Sequence, residues 1–178
     1  MFDELEDDVR AAPTQVGTVR LIVRRPAVDE REVVSEAQLD VDEGVVGDTW
    51  GSRGSSSTED GSADLEAQIT VMNAPAAEGF AGDVERWTLA GDQLYVDFDI
   101  SEENLPAGTR VRIGEAEIEV SAKPHTGCAK FSSRFGKDAL RLVSSPTGRS
   151  RRLRGMNARV TKSGTVRVGD DIEAVRSL

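Results

Sequence analysis

The sequence predicts a mostly β fold, either a barrel or a sandwich, with one or two helices attached to it. Short segments of alternating apolar and polar residues recur along the chain, turn-forming residues separate them, and helical spacing is rare. With 178 residues, of which 38% are hydrophobic and 30% charged, the chain is long enough to bury one core. We expect a single domain over residues 15–178, preceded by a flexible acidic tail at residues 1–14.

The first half of the chain contains three predicted strands, which are residues 16–23, 31–39 and 68–72. A turn at residues 26–29 joins the first two. Residues 44–51 are too rich in glycine for regular structure, and residues 52–61 predict a flexible loop. A short helical turn is expected over residues 75–79.

The second half begins with an alternation of apolar and polar residues over residues 93–100, which is the period of a half-buried strand. Two hairpins are expected after it, formed by residues 109–113 with 116–120 and by residues 155–160 with 165–168. Their turns are Gly114 with Glu115 and Ser163 with Gly164, and glycine is typical of such turns.

Helical spacing is clear between these two hairpins. The residues that repeat at this spacing are Phe131, Phe135, Ala139 and Leu142. Ser132 or Ser133 is the predicted N-cap, because a serine side chain can accept from the first free backbone N–H groups. The helix is expected to end near Val143, before Pro146.

The composition excludes several classes of protein. The formal net charge is −10, which disfavours non-specific binding to nucleic acid or to an anionic membrane surface. One cysteine cannot form an internal disulfide. The acidic residues 1–8 lack the pattern of a signal peptide, and no apolar run reaches the length of a membrane span, about 20 residues. We expect a cytoplasmic protein with neither nucleic acid nor a membrane as its partner.

The most informative segment, residues 123–131 (KPHTGCAKF), contains Cys128, the only cysteine of the chain. The only histidine, His125, lies three residues before it. Residues 121–162 hold 11 Lys and Arg but a single acidic residue, Asp138. Nearby cations and the start of the following helix both favour a thiolate. A thiolate can ligate a metal, carry sulfur as a persulfide, or attack a carbon centre.

Plainer interpretations of these residues stay open. A lone cysteine is often a small buried hydrophobe, a single histidine is usually a hydrogen-bonding loop residue, and a charge run is usually a solvated face. One Cys and one His are too few for a zinc site of the usual kind. The arginines at residues 149–154, continued by Asn157 and Arg159, nevertheless favour recognition of an anion such as phosphate.

Four segments, in this order along the chain, resemble the MOSC domain, which is named after the C-terminal domain of the molybdenum cofactor sulfurases. They are residues 44–48 (GVVGD), 99–105 (DISEENL), 113–131 (which include IGEAEIEV and PHTGCAKF) and 169–171 (GDD). The resemblance covers roughly residues 15–175. It implies a MOSC-type β-barrel with a few short peripheral helices.

The resemblance also implies a ligand, the molybdenum cofactor, which is an anionic molybdenum–pterin molecule with a terminal phosphate. Cys128 would be the key thiol of the family, which ligates molybdenum or carries sulfur. The residues implied to contact the cofactor are Arg53, Ser101, Glu102, Asn104, His125, Thr126, Lys130, Asn157 and Arg159. Among these, Asn157 and Arg159 would bind the pterin or the phosphate, and Arg53 would reach the phosphate.

The sequence differs from some relatives in ways that limit its function. We expect neither the pyridoxal phosphate-binding part of the sulfurases nor a ferredoxin-like extension with clustered cysteines, because the resemblance to the MOSC domain covers essentially all of the 178 residues. Pyridoxal phosphate is therefore not expected, and a separate electron-donor or sulfur-donor protein is needed.

Three functions follow as hypotheses. The leading one is an oxidoreductase that reduces small N-hydroxylated compounds, with Cys128 ligating molybdenum. The alternative is a non-enzymatic persulfide carrier for the assembly of a metal–sulfur cofactor. The third is a thiol hydrolase that uses Cys128 and His125, and it is weaker because no acidic partner for His125 is identifiable in the sequence.

Overall fold

The computed structural model describes residues 2–176 of the chain. Its strands are β1 (Val16–Arg24), β2 (Glu32–Val34), β3 (Glu36–Asp40), β4 (Gly44–Val45), β5 (Ile69–Asn73), β6 (Leu94–Asp97), β7 (Arg110–Ile113), β8 (Ala116–Val120), β9 (Met156–Lys162), β10 (Gly164–Arg167) and β11 (Asp171–Ala174). Its α-helices are α1 (Asp3–Arg10), α2 (Trp50–Arg53), α3 (Ala74–Ala81), α4 (Ala129–Phe135), α5 (Lys137–Ser144) and α6 (Pro146–Ser150). Two 3₁₀ helices lie at Leu65–Ala67 and Val84–Ala90.

Seven strands form a closed barrel in the order β1, β11, β7, β8, β9, β5 and β6, and β6 returns to β1. The barrel closes where Val16 of β1 pairs with Glu173 of β11. All neighbours are antiparallel except β5 and β6. Strand β2 extends the sheet from β1, and β10, β3 and β4 form a separate three-stranded sheet. The predicted β-barrel with short peripheral helices is confirmed.

The core has two layers because the barrel wall is covered on part of its outer face. In β5, Val71 packs inside the barrel, whereas Met72 packs outside it with the helices. Side chains alternate across a strand, so both faces of β5 must be apolar, and all five of its residues are buried. In β7, Val111 and Ile113 are buried while Arg110 and Arg112 face solvent, which is the alternation of a strand with one solvated face.

Several predicted elements agree with the structure. The hairpin of residues 109–120 is present as β7 and β8, and β5 matches the strand predicted at residues 68–72. Strands β1 and β2 pair across the predicted turn. The strand predicted over residues 31–39 is divided between β2 and β3, and the strand predicted over residues 93–100 is the shorter β6.

The expected flexible tail contains a helix. Residues 3–10 form α1, whose Leu5 and Val9 are buried against the helical layer. The two helices α1 and α3 approach closely at Gly79, where an added Cβ atom would lie 2.3 Å from Leu5 Cδ1. The four-residue spacing of Leu5 and Val9 between acidic residues is that of an amphipathic helix, so packing on α3 orders this segment.

Two other predictions were wrong in their details. The expected hairpin of residues 155–168 does not form, because β10 pairs with β3 and β9 pairs with β8 and β5. The helix predicted to begin at a serine instead begins at Ala129, and it is interrupted at Gly136. Gly136 has a φ of 94°, a left-handed conformation that ends α4 and allows α5 to start in a new direction.

Short regular elements occur where loops were expected. Strand β4 and helix α2 lie within the glycine-rich residues 44–53. Within residues 2–176, none of the helices is long and apolar enough to cross a membrane.

Removing the anchor of α1 should destabilise the protein. We expect Leu5→Ala to lower the free energy of unfolding by about 3 kcal/mol, because a buried leucine is replaced by a cavity against α3. Urea unfolding followed by circular dichroism measures this change. Asp7→Ala, on the exposed face of the same helix, is the control and should change stability by less than about 0.5 kcal/mol. Equal stability of the two variants would mean that α1 does not dock.

Candidate functional site

A pocket of about 250 Å³ lies between the loop that follows β8 and the segment that connects α5 to β9. Its first wall is residues 121–127. Its second wall includes Val143, Gly148, Arg152 and residues 154–157, and Glu102 contributes the one carboxylate of the lining. The basic residues of the lining are Lys123, Arg149, Arg152 and Arg154. The basic stretch identified in the sequence therefore supplies both walls, and the pocket is suited to an anion or to oxygen acceptors.

A buried carboxylate lies behind the pocket and links its two walls. Asp92 is fully buried, with Oδ1 2.8 Å from His125 Nε2 and Oδ2 2.5 Å from Arg154 Nη1. Arg154 is itself 7% exposed, and its Nη2 donates to the carbonyl of Ala90 over 2.8 Å. The guanidinium carbon also lies 5.1 Å from the centre of the Phe131 ring, a cation–π contact. The acidic partner of His125 that the sequence did not identify is Asp92.

The charge on Asp92 is stabilised by its two partners. Burial alone would raise the pKa of this carboxyl group, but the charges of Arg154 and His125 and their hydrogen bonds outweigh burial and hold the pKa below its ordinary value. An ionised carboxylate without partners would be costly at this depth. The ion pairs are therefore a condition for burying Asp92.

Gly155 allows the histidine to approach its partner. It has a φ of 115°, a backbone conformation that residues with a side chain rarely adopt. An added Cβ atom would lie 2.7 Å from the Val71 carbonyl oxygen and 3.1 Å from His125 Cδ2. A side chain at this position would therefore displace His125 from Asp92.

Arg152 joins the pocket to the DISEENL segment. Its Nη1 donates to the carbonyl oxygens of Ile100 and Leu105 over 3.0 and 2.7 Å, and the backbone N–H of Glu102 donates to the carbonyl of Ser150. Burial lowers the pKa of Arg152, and the carboxylate of Glu102 opposes that shift. The φ of Arg152 is 51°, an uncommon conformation for a residue with a side chain. These contacts place Glu102 in the lining.

Lys123 connects the pocket lining to the loop of residues 52–61 and to Asp64, which follows it. Its Nζ pairs with Asp64 and donates to Ser57 Oγ over 3.1 Å. The hydrogen bond from Lys123 is the main cause that lowers the pKa of Asp64. Asn157 Nδ2 donates to the carbonyl of Lys123 over 3.3 Å. The loop that was expected to be flexible is therefore attached to the wall that carries His125.

Cys128 lies at the edge of this region and is exposed. It is the residue before α4, its carbonyl accepts from the Ser132 backbone N–H over 3.0 Å, and its side chain makes no capping hydrogen bond to the described residues. Gly127, next to it, belongs to the pocket lining, whereas Cys128 does not. The thiol is accessible to a molecule that approaches from solvent.

The structure places four of the predicted cofactor contacts in the pocket: Glu102, His125, Thr126 and Asn157. Ser101 and Asn104 do not line it. Ser101 is buried, and its Oγ accepts from the Asn104 backbone. The Asn104 side chain donates to the carbonyls of Asp99 and Thr14 and accepts from Arg176, so it ties the ends of the described chain together.

The other three predicted contacts also lie outside this pocket. Arg159 is exposed on β9 and pairs with Glu119, and Lys130 is exposed in the first turn of α4. Arg53 is exposed at the end of α2, and its pKa is lowered by partial burial and by the nearby charge of Arg25.

The GVVGD segment has a structural role that its sequence did not indicate. Asp48 accepts two side-chain hydrogen bonds and one backbone hydrogen bond from Arg25, and another from the Trp50 backbone. Its side chain is fully buried. Burial opposes ionisation, but Arg25 prevails and lowers the pKa of this carboxyl group. Asp48 thus holds the start of α2, and Arg53 with it, against the end of β1.

Comparison with known proteins assigns the family. The family model of the MOSC domain matches residues 58–173. The chain belongs to the MOSC domain family. No curated protein matches this MOSC domain. Both walls of the pocket, Asp92 and Cys128 all lie inside the matched region, whereas Asp48 and Arg53 precede it.

Solved structures share the fold of this MOSC domain. The YuaD protein from Bacillus subtilis has a TM-score of 0.65 and 14% identity, and the match covers 92% of this chain and 97% of that chain. YiiM from Escherichia coli has a TM-score of 0.58 and 21% identity, with 90% and 71% covered. YiiM from Geobacillus stearothermophilus has a TM-score of 0.52 and 15% identity, with 93% and 75% covered. Identities this low establish the fold alone.

Neutralising Asp92 should destabilise the MOSC domain. We expect Asp92→Asn to lower the free energy of unfolding by about 3 kcal/mol at neutral pH, because the buried charge of Arg154 loses its partner. Denaturant unfolding measures the change. Asp138→Asn is the matched control, because its ion pair with Arg141 is exposed and worth little.

The contribution of Asp92 to the free energy of unfolding should depend on pH. The folded-state pKa of Asp92 is lowered, so its stabilisation is complete above the ordinary aspartate pKa of about 3.9 and is lost as the pH falls through the folded value. The stability difference between the native protein and Asp92→Asn should therefore shrink on acidification below about pH 4. A difference that stayed constant would contradict the ionised, paired carboxylate.

Proposed function

We propose that this MOSC domain binds the molybdenum cofactor and acts as an oxidoreductase on small N-hydroxylated compounds, with Cys128 as the protein ligand of molybdenum. The observation that carries the proposal is an exposed, unpaired thiol next to a pocket lined by four cationic side chains and one carboxylate. A thiolate suits a soft metal centre, and arginines suit a phosphate.

The residues of the pocket fit an anionic cofactor. Arg149 is exposed and makes no side-chain ion pair within the described chain, and Arg154 Nε is buried without a hydrogen-bond partner there. A cation without an ion-pair partner and a buried N–H group without an acceptor favour an anion or an acceptor oxygen as their partner. His125, Thr126 and Asn157 would contact the cofactor from the pocket.

Other predicted contacts would act from the rim or as supports. Lys130 and Arg53, both exposed, would add positive charge outside the pocket, and Arg159 would do so after releasing Glu119. Glu102 would accept hydrogen bonds from within the lining, while Ser101 and Asn104 would hold the segment that carries it.

The metal would depend on the cofactor for most of its ligands. Over residues 2–176, no three His, Cys, Asp or Glu side chains are grouped so that they could hold a metal ion. Cys128 could therefore contribute one protein ligand to a metal that arrives with its own. When bound, the cofactor supplies a redox-active metal, and a separate electron-donor protein would supply the electrons.

Metal and pterin analysis tests the proposal. We expect about one molybdenum and one pterin per chain in protein from cells that make the cofactor, and a large loss of molybdenum in Cys128→Ser, because the thiolate ligand is missing. Arg141→Gln, exposed on α5, is the control and should retain both. Native protein without molybdenum and pterin, or equal metal in native protein and Cys128→Ser, would reject Cys128 as the ligand.

A second function is favoured by the position of the thiol. Cys128 is exposed and does not line the pocket, so a sulfur-donor protein could reach it. We propose as the alternative that Cys128 carries a persulfide for the assembly of a metal–sulfur cofactor and that the domain is not an enzyme.

Intact-mass spectrometry distinguishes this alternative. After incubation with a cysteine desulfurase and cysteine, the carrier hypothesis predicts a mass increase of one sulfur atom on Cys128, removed by a thiol reductant. The variant Cys128→Ser should gain no sulfur. Native protein that stays unmodified, while a known acceptor is loaded in the same reaction, would count against the carrier.

A further inference from the structure

We propose that His125 is the proton-transfer residue of the pocket, and that Asp92 and Arg154 are the residues that position it. The contacts of these three side chains determine the arrangement of the ring. Its role in a reaction rests on the proposed reductase function.

The hydrogen bonds determine which ring nitrogen carries the proton. Asp92 is ionised, and an ionised carboxylate only accepts hydrogen bonds. Arg154 Nη1 donates to Oδ2, and His125 Nε2 lies 2.8 Å from Oδ1. Nε2 must therefore carry a proton and donate to Asp92, which fixes the tautomer of the neutral ring.

The second nitrogen of the ring remains available. His125 lines the pocket and its side chain is 17% exposed. Nδ1 makes no hydrogen bond to the part of the chain that the structure describes, and it is not among the buried polar atoms that lack a partner. The neutral ring therefore presents an unprotonated nitrogen to the pocket, and the charged ring presents an N–H group there.

The partners of His125 are themselves held in place. Arg154 is fixed by the carbonyl of Ala90 and by the ring of Phe131, and Asp92 is fully buried between Arg154 and His125. Gly155 leaves room for the ring in this position, because a Cβ atom added there would lie only 3.1 Å from His125 Cδ2. Fixed orientation of an imidazole by a buried carboxylate is the arrangement that acid–base catalysis uses.

The other charged residues that line the pocket with His125 come from both walls and from the DISEENL segment. They are Lys123, Arg149 and Arg152, together with the carboxylate of Glu102. The cations would draw an electron-rich oxygen of a substrate into the pocket. Nδ1 can then exchange a proton with this oxygen, because Asp92 holds the other ring nitrogen and leaves Nδ1 available.

The proposed reaction requires such a proton. Reduction of an N-hydroxylated compound breaks the N–O bond, takes up two electrons and two protons, and releases water. The separate electron-donor protein supplies both electrons. His125 donates its Nδ1 proton to the departing oxygen, which leaves as water, and the second proton reaches the nitrogen from solvent. Solvent then reprotonates His125 through the open side of the pocket.

Nitrogen NMR tests the ring arrangement without any cofactor. Because His125 is the only histidine, labelling of histidine nitrogens gives the signals of one ring. In the neutral form of the ring, we expect a protonated Nε2 and an unprotonated Nδ1. The variant Asp92→Asn should shift the ring toward a mixture of tautomers. A native ring with Nδ1 protonated, or a variant with unchanged signals, would overturn the positioning by Asp92.

Turnover of the cofactor-loaded protein tests the role of His125, with an N-hydroxylated amidine as substrate and a reduced viologen as electron donor. Glutamine can still donate a hydrogen bond to Asp92 but exchanges no proton. We therefore expect the kcat of His125→Gln, measured per bound molybdenum, to fall about 100-fold while its KM stays the same. Arg141→Gln, outside the site, should match the native protein. A kcat of His125→Gln within about twofold of the native value would overturn the proposal.

The two proposals fail in different ways. Native protein without molybdenum or pterin would reject the proposed function while the NMR signals still decide the arrangement of His125. A molybdenum-containing, active native protein whose His125→Gln variant turns over normally would reject the role of His125 alone.

Discussion

The buried carboxylate of Asp92 is the constraint on which the pocket depends. It joins His125, 33 residues away, and Arg154, 62 residues away, to the segment that precedes β6. A fully buried charge is tolerated only when its partners are in place, so the ion pairs lock both pocket walls to the barrel. Replacing buried ion pairs by well-packed apolar side chains is often neutral or stabilising. Stability alone therefore does not explain why the protein has this charged group beside the pocket.

The barrel makes this constraint possible because it brings the ends of distant strands together. Strands β8 and β9 are neighbours, and so are β9 and β5, so the loop after β8 and the segment before β9 meet at one end of the barrel. Irregular backbone at Arg152 and Gly155, both with positive φ, turns the chain between α6 and β9. Rigid strands thus support loops that carry the chemistry, which is a common division of labour in proteins.

Membership of the MOSC domain family and the shared fold of YuaD and YiiM do not decide the chemistry of this chain, because one fold supports many functions. Function depends on the site itself, which combines an exposed thiol, a cationic pocket, and a histidine whose Nδ1 makes no hydrogen bond within residues 2–176. The two proposals assign a metal or sulfur to Cys128 and proton transfer to His125. The two roles can be tested separately because the chain has one cysteine and one histidine.

The sequence by itself determined the mostly β class, the β7–β8 hairpin, and the importance of the segment around His125 and Cys128. These features depend on residues within a few positions of one another, where alternation, turns and charge clustering can be read directly. Only the tertiary structure decided that α1 docks through Leu5, that β10 pairs with β3, and that Asp92 is the partner of His125. Each of these contacts joins residues far apart in the chain, and its free energy comes from burial and charge pairing that exist only after the barrel has closed.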